Sequence, residues 1–199
     1  MSDPITFARE HQADYLAELV DFLRIPSIST QPERQAETAA AAQWLADKMK
    51  LAGLENIEII STQRHPLVYA DWLHAGDAPT VLIYGHYDVQ PAEPLELWES
   101  PPFEPTVRDD YLYARGSSDD KGQVYIHVKA VEAILRSNGR LAVNVKFIVE
   151  GEEEIGGESL EAFIPQHKEK LAADVALVSD TAMVSAKQPA IVYGLRALC

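Results

Sequence analysis

VLIYGHYDV, Val81 to Val89, opens with four apolar residues and runs on through Gly85, His86, Tyr87 and Asp88 to Val89. The apolar run is too short for a helix and rich in β-branched and aromatic side chains, so it reads as a buried strand that ends in polar groups. Two later runs end the same way. VKFIV, Val145 to Val149, leads into Glu150, Gly151, Glu152, Glu153 and Glu154, and VALV, Val175 to Val178, leads into Ser179 and Asp180. As parallel strands of one sheet, the three would bring their carboxyl ends to one edge, where open α/β sheets form their binding crevice. Between the first two runs, Val124, Val128, Val131 and Leu135 recur at helical spacing up to the Asn138-Gly139 stop. Ser118 or Asp119 is the expected cap of that crossover helix, which puts Asp119 at the same edge.

Working outward, two further helices are expected at Phe7 to Leu23 and at Glu33 to Leu51, punctuated by Pro26 and Pro32. Ile57 to Ile60 and Leu67 to Leu73 read as strands, and Thr106 to Ala114 as a hairpin around Asp109 and Asp110. Five prolines between Gln90 and Pro105 make that stretch a long surface loop. Ser159 to Lys170 reads as a helix interrupted at Pro165. No internal repeat is visible. The alternation gives an α/β fold: a mixed, mostly parallel sheet flanked by helices.

The 199 residues are 47% apolar, enough for one packed core. Seventeen Lys and Arg against thirty-one Asp and Glu give a net charge of −14, which argues against nucleic acid or an anionic membrane as partner. That charge serves solubility, or it is partly neutralised by bound cations. The first dozen residues lack an unbroken apolar stretch, so neither a secretory leader nor a membrane span is expected, and a cytoplasmic location is. The one cysteine, Cys199, excludes an internal disulfide and any cysteine-rich metal site.

Taken singly, each polar cluster has an ordinary explanation. His86 and Asp88 would serve as a turn pair, Ser118 to Asp120 as a helix cap, Glu150 to Glu154 as a solvated helix start, and Asp180 as a turn residue. Their convergence at one edge favours a metal site, since histidine and carboxylates together suit zinc, manganese or cobalt. The other histidines, His11, His65, His74, His127 and His167, are expected to be structural.

The segments YGHYDVQPA (84–92), LYARGSSDDKGQ (112–123), VEGEEEIGGESL (149–160) and LVSD (177–180) resemble, in order, the signatures of the zinc metallopeptidase family of carnosinases, aminoacylases and bacterial dipeptidases, peptidase family M20. YGLRALC (193–199) resembles its carnosinase-like dipeptidase branch. The resemblance implies two divalent metal ions, Zn2+ first, with Mn2+ or Co2+ as alternatives. It makes His86 and Asp180 ligands of one metal, Glu154 a ligand of the second, and Asp119 the bridge between them. Asp88 would hold the His86 ring, Glu153 would be the general base of amide hydrolysis, and the Asp119–Asp120 peptide would be cis.

An aspartate at position 180 resembles the dipeptidases of the family, whereas glutamate there accompanies carboxypeptidases and acyl-amino-acid deacylases. Ala114 departs from the family's usual glycine, and Lys121 has a family counterpart without a physical role assigned. The resemblance also implies that residues 1–188 are the N-terminal part of a catalytic domain, and that 189–199 begin a lid and dimerisation domain. A further histidine ligand would lie far beyond residue 199. On that reading the chain is an inactive fragment of a homodimeric enzyme, with an apolar last strand that risks aggregation. The rival is a non-catalytic metal-binding protein.

Overall fold

Short apolar runs and helical stretches alternate through the computed structural model, which describes residues 3–185 together with 188, 190 and 192. The helices are α1 (Pro4–Glu10), α2 (Gln12–Leu23), α3 (Gln35–Leu51), α4 (Lys121–Asn138), α5 (Glu158–Phe163) and α6 (Lys168–Leu171). The strands are β1 (Glu55–Ile60), β2 (Leu67–Trp72), β3 (Thr80–His86), β4 (Thr106–Arg108), β5 (Tyr111–Tyr113), β6 (Asn144–Glu150) and β7 (Val175–Val178). The segment 193–199 and most of the expected lid segment lie outside the described residues. No described helix is long and apolar enough to cross a membrane.

The main sheet has the order β1-β2-β6-β3-β7. β3 pairs in parallel with both β6 and β7, while β2 is antiparallel to both β1 and β6. Four strands therefore run one way and β2 alone runs back, the mixed, mostly parallel sheet expected. Every residue of β2 is buried, because its side chains alternate between two cores. Val68, Ala70 and Trp72 join Phe22, Leu45, Met49, Val124 and Val128 beneath α2, α3 and α4. Leu67 and Tyr69 join Leu160, Phe163 and Leu171 beneath α5 and α6 on the opposite face.

Local chemistry shifts several expected boundaries. The first helix begins at Pro4, where the Asp3 carboxylate accepts from the Ile5 and Thr6 amides, and it breaks at His11. There the ring Nδ1 lies 2.8 Å from the Phe7 carbonyl, which also accepts the His11 backbone amide at 3.2 Å. Pro32–Arg34 forms a 3-10 turn, so α3 starts at Gln35 rather than Glu33. Asp120, not Ser118 or Asp119, is the N-cap of α4, and it makes no side-chain capping bond because its carboxylate turns inward to the His86 amide. Gly139, at φ 71°, ends α4 in the left-handed conformation that glycine adopts at no steric cost. Asp109 and Asp110, at φ 48° and 65°, form the two-residue turn between β4 and β5.

Two polar features brace this frame. Glu18 on α2 accepts from Lys48 on α3 at 2.8 Å and from Lys129 on α4 at 2.6 Å. The Tyr125 hydroxyl donates to the same carboxylate. Burial alone would raise the Glu18 pKa, but the bonds from Lys129, Lys48 and Tyr125 outweigh it and bring it down to about 2. Lys121 is fully buried, with Nζ donating to the carbonyls of Phe22 (3.2 Å) and Ile25 (2.6 Å). It ties the chain after α2 to the first turn of α4, the role that the sequence left open.

A folded-state pKa below the unfolded one contributes stability that is present above the unfolded value, 4.5, and is lost as pH falls towards about 2. Glu18→Gln is expected to lower stability at pH 7 by about 1–2 kcal/mol, discounted for partial solvent screening. In urea titrations at a series of pH values, the gap between wild type and variant should close as pH falls below 4.5. A gap independent of pH would remove the ion network from the account. Gly85 supplies a second test, since a Cβ there would lie 2.3 Å from Val124 Cγ2 and 2.4 Å from Asp120 Oδ2. Gly85→Ala should destabilise by about 1–3 kcal/mol in the same assay.

Candidate metal centre

His86 is the last residue of β3 and lies in register with Glu150, the last residue of β6. Its side chain has no exposed surface. On one side, ring Nε2 lies 3.0 Å from Asp119 Oδ1 and 3.7 Å from Asp180 Oδ2. On the other, Nδ1 lies 3.1 Å from the Asp88 carbonyl and 3.3 Å from Asp88 Oδ1. Three elements thus deliver these groups: the β3 end, the turn before α4, and the segment after β7.

The turn after β6 brings two more carboxylates. Glu153 and Glu154 come to His86 with ligand atoms within 4.8 Å of one another, as do Asp119 and Asp180 with His86. Glu153 is exposed and Glu154 half-buried. The Glu154 amide donates to Asp88 Oδ2 at 3.2 Å, so Asp88 touches both the His86 ring and the turn carrying Glu153 and Glu154. Gln90 Nε2 donates to the Glu154 carboxylate. All six residues singled out from sequence, His86, Asp88, Asp119, Glu153, Glu154 and Asp180, meet at the carboxyl edge of the sheet. His11, His65, His74, His127 and His167 stand outside both groups. The Asp119–Asp120 peptide is cis.

Three participants escaped the sequence reading. Asp120 is buried at 1% exposure, and its Oδ2 accepts from the His86 amide at 3.0 Å. Glu152, also 1% exposed, accepts from the His65 amide at 2.9 Å and the Ser159 hydroxyl at 2.7 Å, which anchors the acidic turn to its surroundings. Glu150 accepts from the Tyr84 hydroxyl at 2.7 Å. Spacing marks all three only as acids within a run. Their inward direction depends on partners distant in sequence.

The electrostatics follow from packing several acids around one buried imidazole. Burial pulls the His86 pKa down, but the Asp88 contact and the charges of Asp88, Asp120 and Asp119 outweigh it and push it up to about 10. Burial raises Asp120 to about 7 against the pull of His86. Burial likewise raises Glu154, assisted by Asp119 and Asp88. Nε2 of His86 and Oδ1 of Asp88 are buried without a hydrogen-bond partner of acceptable geometry, although acids surround them. A nitrogen so enclosed by carboxylate oxygens, yet not hydrogen-bonded to them, fits a shared divalent cation, and the mixed nitrogen and oxygen donors suit zinc-like ions.

Comparison with known proteins agrees with that chemistry. Beta-Ala-His dipeptidase of Mus musculus is 34% identical over 95% of this chain and 41% of its own length. The crystal structure of human carnosine dipeptidase 1 superposes with a TM-score of 0.85 at 29% identity, covering 92% of this chain and 41% of the other. An M20 family metallo-carboxypeptidase from Sulfolobus solfataricus gives 0.78 at 39% identity, covering 87% and 38%. The chain thus spans about two fifths of the length of the curated relatives it matches. The model of Peptidase family M20/M25/M40 matches residues 82–193, the stretch that runs from within β3 past Asp180 and contains all six converging residues. With over half its length matched and the site inside the match, the chain belongs to peptidase family M20/M25/M40.

Proposed function

We propose that this chain carries most of the active centre of a metal-dependent hydrolase that cleaves the amide bond of dipeptides. The observation that carries the reading is the pair of carboxylates, Asp119 and Asp180, facing one unpartnered nitrogen of His86, with exposed Glu153 beside them. His86, Asp119 and Asp180 would hold one divalent ion, Zn2+ first and Mn2+ or Co2+ as alternatives, while Asp119 and Glu154 would hold part of the shell of a second. Such cations, when bound, polarise a carbonyl and lower the pKa of water towards about 7.

Each remaining role belongs to a side chain of this chain. Asp88 sits behind the His86 ring and fixes its orientation, as ligating histidines generally require. Glu153 is exposed, so it reaches the open side of the edge where a substrate carbonyl would lie. It takes the proton of the attacking water on one carboxylate oxygen and returns it to the leaving amine. Glu154, its neighbour, faces inward and is held by Gln90. The same residue type thus takes two roles, set by exposure.

The dipeptide assignment leans on the mouse and human relatives named for dipeptides, and on Asp180 in place of glutamate. A carboxypeptidase acting on longer peptides is the second reading, favoured by the 39% identity to the Sulfolobus enzyme. Metal analysis beside hydrolysis assays, on this chain and on any longer product of its gene, separates the possibilities. Turnover of dipeptides with about two metal ions per chain supports the proposal. Turnover confined to longer, N-blocked peptides favours the carboxypeptidase, and absence of metal overturns both. In the active form, Glu153→Gln should lower kcat by about 10²- to 10⁴-fold with metal content unchanged. Unaltered turnover, or loss of the metal, would remove Glu153 from the role of base.

A further inference from the structure

Asp180 lies beyond the scaffold that the sheet provides. The last ladder pair between β3 and β7 is Tyr84 with Val178, so Ser179 and Asp180 extend past the hydrogen-bonded strand. Among the described residues β7 is paired on one side only, with β3, and all four of its residues are exposed. The Thr181 amide bonds the Ser179 carbonyl at 2.7 Å, a turn within the segment itself. Among the described residues, one side-chain hydrogen bond joins this segment to the rest of the molecule: His127 Nε2 and Ser179 Oγ lie 2.7 Å apart.

His127 is on α4, two turns in from the Asp119–Asp120 turn that opens the helix. The same rigid element therefore carries Asp119 at its start and grips the neighbour of Asp180 along its side. Burial lowers the His127 pKa, which keeps the imidazole neutral and able to accept the serine proton or to offer its own. Without this bond, the position of Asp180 would depend on a short, exposed edge strand.

We propose that His127 and Ser179 form a positioning pair that holds the Asp180 carboxylate against His86 and Asp119. The inference rests on the metal-centre reading above. It adds two residues that touch neither cation nor substrate but set the affinity of the His86, Asp119 and Asp180 site. Partners of this kind outside the ligand shell typically alter metal affinity by about 10- to 100-fold.

Zn2+ titration of this chain by calorimetry, alongside melting of the metal-free protein, tests the pair. Ser179→Ala and His127→Phe should each weaken Zn2+ binding by about 10- to 100-fold while melting of the metal-free protein stays near wild type. Ser179→Thr keeps the hydroxyl, and should restore most of the affinity. Wild-type affinity in Ser179→Ala would overturn the pair and leave the metal centre standing. Equal losses in Ser179→Ala and Ser179→Thr, with lowered melting in both, would overturn it in favour of plain packing. Failure of the wild-type chain to bind Zn2+ would instead defeat the metal-centre reading, and the pair with it.

Discussion

A fully buried imidazole stands among carboxylates at the carboxyl edge of the sheet, and much of the surrounding structure answers to that arrangement. Bringing the buried Asp88 and Asp120 towards His86 gathers negative charge where solvent screens it poorly, and Asp119 and Asp180 add to it from the more open side. The frame therefore meets the repulsion with hydrogen bonds delivered from several directions: the His86 amide to Asp120, the Glu154 amide to Asp88, and the Tyr84 hydroxyl to Glu150. Donors held in place by the sheet stabilise the acids before any cation arrives, which prepares the edge for a positive ion.

That preparation is possible because the sheet and helices are rigid where the site needs them. β3 and β6 end in register, so His86 and Glu150 arrive at the same height. Gly151 lets the Tyr87 ring pass close by, since a Cβ there would lie 2.4 Å from the tyrosine Cζ and Oη. Lys121, with its Nζ donating to two backbone carbonyls, fixes the first turn of α4 from behind. The core packs beneath these elements on both faces, and the chemistry stands on the rim where backbone ladders stop. Stability and function thus draw on different parts of the same strands.

Much of this was legible in the sequence because it follows from local rules. Three apolar runs ending in polar groups gave the edge, and Asn138-Gly139 gave the end of α4. Features that depend on distant partners were not legible. His11 reads as part of one continuous helix, yet its backbone at φ −102° and ψ 11° divides that stretch into α1 and α2. Asp120 looks like a spare acid beside a helix start until the His86 amide claims it. Glu18, Lys48 and Lys129 are ordinary charges on three separate helices, and only packing makes them one network. His127 and Ser179 are 52 positions apart, a separation that no periodicity spans.

β7 is the outermost strand of the sheet among the described residues, and Val175, Leu177 and Val178 are exposed along it. Its outer row of amides and carbonyls offers a ready template for another strand. A strand docking in parallel would lie about 4.8 Å away and would finish beside Asp180, which follows β7 by two residues. A strand added there would therefore also form a wall of the crevice, so that shielding the sheet edge and enclosing the candidate metal centre would be one architectural event.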